Sequence, residues 1–281
     1  AFEQLHAFKS SQQELLTNSV NDLALDIANQ VEARNRIVTA LARDNRRTLE
    51  TILEQPDDDR AISRFEQQLT AYFPDMYTFT LVDVDGNRVP DDMGERIGEA
   101  CVREIELFAQ GDRSLSHSRD GYRAYMPYIH PQPFAYHFDI MGLWEGSDQL
   151  ERIIFVSFHT EVLTQLIDTH QLPGHLIYLV RADLPDLIDL GKQGTREKLR
   201  DASWVAEAEI SDAFIQTDVT GTRWRAIGYF EPNLLAEYRL SALRRFSSNL
   251  IIDPGYFGLT IVSSRDPETV LFDNLSITAH P

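Results

Sequence analysis

The stretch YTFTLVDVDGNRVP, residues 77–90, marks the point where the sequence changes from a helical to a β period. Before it, apolar residues recur every three or four positions, whereas within it they alternate on either side of an Asp-Gly pair. Asp-Gly favours the tight two-residue turns of β-hairpins. The stretch therefore predicts a strand, a turn and a second strand, and it places the start of a β-sheet after an entirely helical N-terminal segment.

The N-terminal segment predicts one long helix. It contains no Gly and no Pro before Pro56, and apolar residues form a stripe from Val20 to Ile52. A continuous helix of about 55 residues would be roughly 80 Å long at 1.5 Å per residue. Two interpretations stay open. The helix packs on the protein and breaks near Ser10–Ser11, or it is a stalk whose lower part pairs with a second chain.

The following elements predict a first antiparallel module. A helix is expected from about Ala61 to Tyr72, then the hairpin, then a helix from about Ile97 to Gln110. Cys101 lies on the apolar face of that helix, so we expect a buried small residue rather than a nucleophile. A five-stranded antiparallel sheet with helices on one side, and a cavity on the other, satisfies this order. Its last three strands are predicted at Tyr122–Ile129, Phe134–Trp144 and Arg152–His159.

A similar but smaller pattern follows in residues 174–245. HLIYLV and DLIDLG predict a strand pair, TREKLRD a short helix, and SWVAEAEI and RWRAIGYFE two more strands, the second entered at the Gly221–Thr222 turn. LLAEYRLSALRRF predicts a closing helix. The sequence thus predicts an α+β protein with a stalk helix over 1–60, modules over 61–172 and 173–249, and a strand–turn–strand tail over 250–281.

Charge and cysteine content exclude several classes of function. The chain has 26 Lys and Arg against 44 Asp and Glu, a net charge of −18, which disfavours nucleic acid and anionic lipid as partners. One cysteine excludes an intrachain disulfide and a cysteine-rich zinc site. There is no signal peptide and no apolar run long enough to cross a membrane. Because the first residue is Ala1, we expect a fragment or a processed chain.

The stretch HPQPFAYHFDI, residues 130–140, contains the candidate functional residues. Its alternation places His137 and Asp139 on the opposite side from Phe138 and Ile140. Four interpretations follow: a metal site of His137, Asp139 and His159, a dyad of His137 and Asp139 activating Ser157, a wall of a binding pocket, or a polar strand face on which Arg123 pairs with Asp139. No phosphate loop, nucleophile elbow or zinc-protease motif occurs.

We favour the pocket, because aromatic and polar side chains on one sheet face are the usual lining of a small-molecule site. Arg123 would hold a carboxylate and Asp139 would accept from an amine. We predict no catalytic residue, no metal ligand and no cofactor. The predicted ligand-binding residues are Arg123, Tyr125, Tyr136, His137, Asp139 and Ser157.

Several stretches together resemble the Cache-type (PAS-like) extracytoplasmic sensor regions of bacterial transmembrane signalling proteins. They are the long N-terminal helix leading into FTLVDVDGNRV, the helix IGEACVREIELF, the strands HPQPFAYHFDIM and RIIFVSF, and the segment VTGTRWRAIGYFEPNLLAEYR. The resemblance covers about residues 20–245. Members that bind amino acids have an Arg followed by Trp and Tyr, with a distal Asp. Arg123, Tyr125 and Asp139 stand in comparable places, but the Trp is missing.

The resemblance implies a non-catalytic periplasmic sensor with two PAS-like modules, in which the membrane-distal module binds a small molecule. The long helix would carry the change to a membrane-linked effector such as a diguanylate cyclase, a histidine kinase or a chemoreceptor signalling module, and could form a homodimer. Two alternatives remain. One is a metal-dependent hydrolase using His137, Asp139 and His159, and the other is a protein-interaction module with a degenerate pocket.

Overall fold

The structure, a computed structural model, describes residues 2–89, 94–119, 122–130, 135–195, 213–231, 234, 238, 240, 257–259 and 277–279. The predicted helix TREKLRD, apart from its first residue, and the predicted strand SWVAEAEI lie outside these residues, as does most of the predicted closing helix LLAEYRLSALRRF. Residues Phe8–Glu231 form one compact unit, and a second unit contains residues 1–7 and 232–281. Among the helices described, none carries an apolar stretch of the length that a bilayer requires.

The N-terminal helix α1 spans Phe2–Asp44, and α2 spans Arg46–Glu54. The break predicted at Ser10–Ser11 is therefore wrong, and the interruption lies at Asn45. Serine on an exposed helix face costs only a few tenths of a kcal/mol relative to alanine, which does not end a helix. At Asn45 the side-chain amide donates to the Leu41 carbonyl at 2.9 Å, and φ and ψ of −104° and 19° leave the helical region.

The first sheet is antiparallel and five-stranded, as predicted, and follows the helix α3, Asp59–Tyr72. The Asp-Gly hairpin is confirmed: Gly86 has a φ of 86°, and the Asp83 carboxylate accepts from the backbone N–H groups of Asp85 and Asn87. The five strands are β1 Met76–Val82, β2 Arg88–Val89, β5 Ile129–His130, β6 His137–Glu145 and β7 Glu151–His159. Their order in the sheet is β2-β1-β7-β6-β5.

The single strand predicted at Tyr122–Ile129 is two strands. Its first part is β4, Tyr122–Tyr125, which forms a separate hairpin with β3, Ser116–Arg119, after a short 3₁₀ turn at Arg113–Leu115. Its last residue begins β5. Pro127 lies between them and cannot donate a backbone hydrogen bond to a ladder, which explains the interruption.

Both faces of the first sheet are covered. On one face lies α1: a Cβ added at Gly142 of β6 would lie 3.1 Å from Thr39 Oγ1 and 3.3 Å from Val38 Cγ1. On the other face lie the helix α4, Gly94–Ala109, and the β3–β4 hairpin. The expectation of helices on one side only was therefore wrong, because α4 lies over the face we had left for a cavity. The buried side chains between α4, β4 and the sheet include Cys101, Ile105, Phe108, Tyr125, Met141 and Phe155.

Arg34 fixes α1 to the sheet. Its guanidinium is buried and donates to both carboxylate oxygens of Asp75, at 3.1 and 2.8 Å. The Arg34 Cζ atom also lies 4.5 Å from the ring centroid of Phe158 and 5.7 Å from that of Phe138. A helix residue is thus in contact with the aromatic side chains of β6 and β7.

The second sheet also packs on α1. It follows the helix α5, Glu161–His170. The strands are β8 His175–Arg181, β9 Ile188–Gly191, β10 Gly194–Thr195, β11 Ile215–Asp218 and β12 Trp224–Phe230. Their order in the sheet is β10-β9-β8-β12-β11. A Cβ at Gly228 of β12 would lie 2.7 Å from Val20 Cγ2 and 2.9 Å from Leu16 Cδ1 of α1.

The fold class is the predicted one: a long helix followed by two antiparallel sheets. Within the described residues, the strand that pairs with RWRAIGYFE across the Gly221 turn is β11, which the sequence analysis did not identify. In the separate C-terminal unit, β13 Phe257–Leu259 pairs antiparallel with β14 Ile277–Ala279.

Candidate functional site

A row of three histidines crosses the first sheet on the side of α4. His130 of β5 pairs with His137 of β6, and His137 pairs with His159 of β7. Next to this row, Asp139 pairs with Ser157. The alternation of β6 and β7 therefore places these polar residues on one face, as the alternation within residues 130–140 predicts for His137 and Asp139.

Helix α4 brings a thiol to the row. The helix is kinked at Gly98, whose φ of 75° requires a left-handed backbone that glycine adopts readily. Beyond the kink, Cys101 Sγ lies 3.3 Å from His130 Nδ1 and 3.4 Å from His137 Nε2. Burial, and next the negative charge of Asp139, raise the pKa of the Cys101 thiol well above its ordinary value. Burial therefore favours the protonated form of this thiol.

Asp139 is fully buried. Its Oδ1 atom accepts a hydrogen bond from the Ser157 hydroxyl at 2.5 Å. Its Oδ2 atom lies 3.2 Å from His130 Nε2 but outside hydrogen-bond geometry, and no hydrogen-bond donor for it occurs among the residues described. Burial raises the pKa of Asp139 to about 6, against the opposing effect of His137. A buried carboxylate oxygen without a donor is costly, so its presence here requires an explanation.

The tautomer of His137 follows from its backbone contact. Its Nδ1 atom lies 2.8 Å from the carbonyl oxygen of Ala135, so Nδ1–H donates, and in the neutral ring Nε2 is the nitrogen that carries the lone pair. The Nε2 atom lies 3.4 Å from Cys101 Sγ and 3.8 Å from Asp139 Oδ1. The lone pair is therefore available to the same small volume that the thiol and the carboxylate border.

Glu104, one turn after Cys101 on α4, connects the site to the second sheet. It accepts a short hydrogen bond from the Tyr125 hydroxyl, and its other oxygen accepts from Arg223 Nη1 at 2.9 Å. Burial, followed by the charge of Glu104, raises the pKa of Tyr125. Arg223 immediately precedes β12, and its second nitrogen donates to Asp183 at 3.1 Å. One carboxylate is thus shared between the candidate site and the second sheet.

Comparison with known proteins identifies the fold. The chain matches no protein-family model and no curated protein. It is similar in structure to the sensory domain of the Campylobacter jejuni chemoreceptor Tlp3 (CcmL) with isoleucine bound, with a TM-score of 0.55 at 10% identity, over 83% of this chain and 97% of that one. The ligand-binding domain of Mlp24 with asparagine gives a TM-score of 0.52 at 13% identity, over 82% and 98%.

The chain has the fold of these sensory domains. At such low identity the likeness concerns the fold alone. It confirms the α+β architecture that the resemblance to Cache-type sensor regions implied.

The structure brings together four of the six predicted ligand-binding residues, Tyr125, His137, Asp139 and Ser157. Arg123 lies apart from Asp139: its Nη2 atom is 3.3 Å from Glu151 Oε1, and its guanidinium lies over the ring of Phe108. Tyr136 packs against the core cluster on the α1 side. The alternative in which Arg123 pairs with Asp139 is therefore wrong.

Four site residues were missed: Cys101, Glu104, His130 and Arg223. The i, i+3 spacing of Cys101 and Glu104 on α4 was a usable signal, because it places both on one helix face. His159, named in the hydrolase alternative, contacts Tyr77, with ring centroids 5.1 Å apart. Among the described residues, the donor atoms that converge belong to Cys101, His137 and Asp139 instead.

Proposed function

We propose that this chain is the extracytoplasmic ligand-binding region of a transmembrane signalling protein, and that its ligand binds between α4 and the first sheet. The observation that carries the proposal is a cluster of buried polar side chains in an otherwise apolar layer of a sensory-domain fold. Burying such groups costs free energy unless they are paired or bind something. His137, Asp139 and Ser157 are each fully buried on that face.

The matched proteins support the general kind of ligand. The Tlp3 sensory domain has isoleucine bound, and the Mlp24 ligand-binding domain has asparagine. We therefore propose that this chain also binds a small ligand. The proposed contacts are Tyr125, His137, Asp139 and Ser157. Arg123 and Tyr136 stay predictions from the sequence, because neither lies in this cluster.

The proposed signal passes through the sheet to α1. The strands β6 and β7 present the polar cluster on one face and Phe138 and Phe158, beneath Arg34, on the other. A ligand that changes the spacing between α4 and the sheet favours one arrangement of α1 over another, which is a population shift. The effector, such as a diguanylate cyclase, a histidine kinase or a chemoreceptor signalling module, lies outside this non-catalytic region. Membrane anchoring of the parent and a homodimer through α1 complete the proposal.

A thermal-shift screen tests the proposal. The panel contains isoleucine, asparagine, organic acids, amines, nucleobases and divalent metal salts. A ligand at 100 times its Kd adds about 2.7 kcal/mol of stability, which is about 5–11 °C for a domain of this size. We expect a hit that Asp139→Asn abolishes and that Asp148→Asn, an exposed matched control, leaves intact. A panel without any hit, or a hit insensitive to Asp139→Asn, would contradict the proposed site.

A further inference from the structure

The polar cluster contains a set of donors suited to a metal ion. Cys101 Sγ, a ring nitrogen of His137 and a carboxylate oxygen of Asp139 all lie within 4.8 Å of one another, and all three side chains are buried. We propose that these residues bind a divalent transition-metal cation, with Zn²⁺ as the best fit. This inference rests on the proposed function, because it identifies the cation as the ligand that the sensor detects.

The distances match a tetrahedral ion. Zn–S and Zn–N bonds of about 2.3 and 2.05 Å at the tetrahedral angle separate sulfur and nitrogen by about 3.6 Å, and nitrogen and oxygen by about 3.4 Å. The observed separations are 3.4 Å from Cys101 Sγ to His137 Nε2, and 3.8 Å from His137 Nε2 to Asp139 Oδ1. The sulfur–nitrogen pair already has nearly tetrahedral spacing, and all three donor atoms lie within 4.8 Å of one another, so an inward movement of the Asp139 carboxylate would complete the geometry. An amino acid between these atoms would have to displace α4.

Neighbouring groups orient each of the three metal-binding side chains, as in established metal sites. The Nδ1–H group of His137 donates to the Ala135 carbonyl, which directs the Nε2 lone pair toward the ion. Ser157 holds one oxygen of Asp139. The other oxygen, Oδ2, has no hydrogen-bond donor in the part of the chain that the structure describes. His130 touches both Cys101 and Asp139 and supports the two ligands from one side.

The donor types select the class of metal. A thiolate and an imidazole favour Zn²⁺ and similar transition-metal ions, while Mg²⁺ and Ca²⁺ require mainly oxygen ligands. On binding, the Cys101 S–H bond breaks, sulfur bonds to the metal, and the proton passes to solvent. The thiolate and the Asp139 carboxylate then neutralise the dication. Three protein ligands leave the fourth coordination position open to water, whereas structural zinc sites are closed by four protein ligands.

The ion would connect α4 to β6, because Cys101 belongs to the helix and the other two ligands to the strand. Glu104 follows Cys101 on the same face and is held by Arg223 of the second module. A movement of α4 toward the ion therefore acts on the contact between the modules. Metal binding at the first sheet would in this way affect the second module.

The test uses the 281-residue chain stripped of metal with a chelator and titrated with Zn²⁺ or Co²⁺. We expect one Zn²⁺ per chain by equilibrium dialysis and elemental analysis, a higher Tm, and no response to Mg²⁺ or Ca²⁺. Cobalt should produce thiolate-to-metal charge-transfer absorption in the near ultraviolet. Cys101→Ser and His137→Gln should abolish binding, and Ser157→Ala should weaken it about 10–100-fold. His159→Gln, a matched control on the same sheet face, should bind normally.

Several outcomes would overturn the inference. They are Zn²⁺ binding that survives Cys101→Ser, binding that His159→Gln removes equally, and cobalt binding to the unaltered chain without the thiolate absorption. The last result does not depend on whether a buried variant folds. If Zn²⁺ fails but isoleucine or asparagine raises the Tm in an Asp139-dependent manner, the metal inference fails while the proposed function stands. If no ion and no molecule of the panel binds, both fail.

Discussion

The Arg34–Asp75 ion pair should respond asymmetrically to removal of its two partners. The Arg34 side chain is only 8% exposed and lies over aromatic rings, whereas that of Asp75 is 23% exposed. Asp75→Ala leaves a buried guanidinium without its carboxylate, and removing one partner of a buried pair costs about 3–5 kcal/mol. Arg34→Met leaves a carboxylate that water reaches and keeps an apolar stem over the rings, so we expect a smaller loss of about 1–3 kcal/mol.

The double variant Arg34→Met/Asp75→Ala completes the argument. Replacing a buried ion pair by apolar groups is often neutral or stabilising, so the double variant should be more stable than Asp75→Ala alone. Urea unfolding followed by far-ultraviolet circular dichroism gives the free energies. In a thermal scan, a loss of 3–5 kcal/mol corresponds to a Tm lower by about 6–20 °C.

Two results would refute this account of how α1 is fixed to the sheet. One is an equal or greater cost for Arg34→Met than for Asp75→Ala. The other is additive losses in the double variant, which would mean that the two side chains are not energetically coupled.

Three further changes test other parts of the structure. Ser157→Ala should lower the free energy of unfolding by about 1–3 kcal/mol, because the buried Asp139 carboxylate loses the hydroxyl donor to Oδ1; an unchanged urea midpoint would contradict this. Gly228→Ala should cost about 1–3 kcal/mol, because its Cβ would lie 2.7 Å from Val20 Cγ2; a Tm equal to that of the parent chain would disprove close packing of α1 there. Cys101 should resist thiol reagents in the folded metal-free chain and react fully in urea, since it is buried and its pKa is raised; rapid reaction of the folded chain would argue against the burial.

Local patterns predicted most of the fold. The hairpin follows from Asp-Gly and the faces of β6 from simple alternation, since both depend on neighbouring residues alone. The break at Asn45 was missed because an asparagine amide that bonds the Leu41 carbonyl resembles any polar residue of a helix. The split of the strand at 122–129 was missed although Pro127 was a visible signal, because the apolar run around it continued without a gap.

The sequence predicted only those site residues that lie on strands. His137, Asp139 and Ser157 share a face because strand alternation and an antiparallel pair require it. Cys101 and Glu104 reach the same volume only because α4 crosses that face, and Arg223 only because the second sheet lies beside it. Such placements depend on contacts between residues far apart in the chain. The hydrophobic periodicity of a sequence carries no information on those contacts.

The contact between Glu104 and Arg223 limits how this protein can be recombined. A chimera that joins the first module to the second module of another protein with this fold would cut the chain near residue 172, where the sequence predicts a boundary. It would also leave the Glu104 carboxylate, 12% exposed, without the guanidinium that neutralises one of its oxygens. A functional chimera must therefore have an arginine at the position of Arg223, or carry Glu104→Gln. Either change would keep α4 of the first module in place.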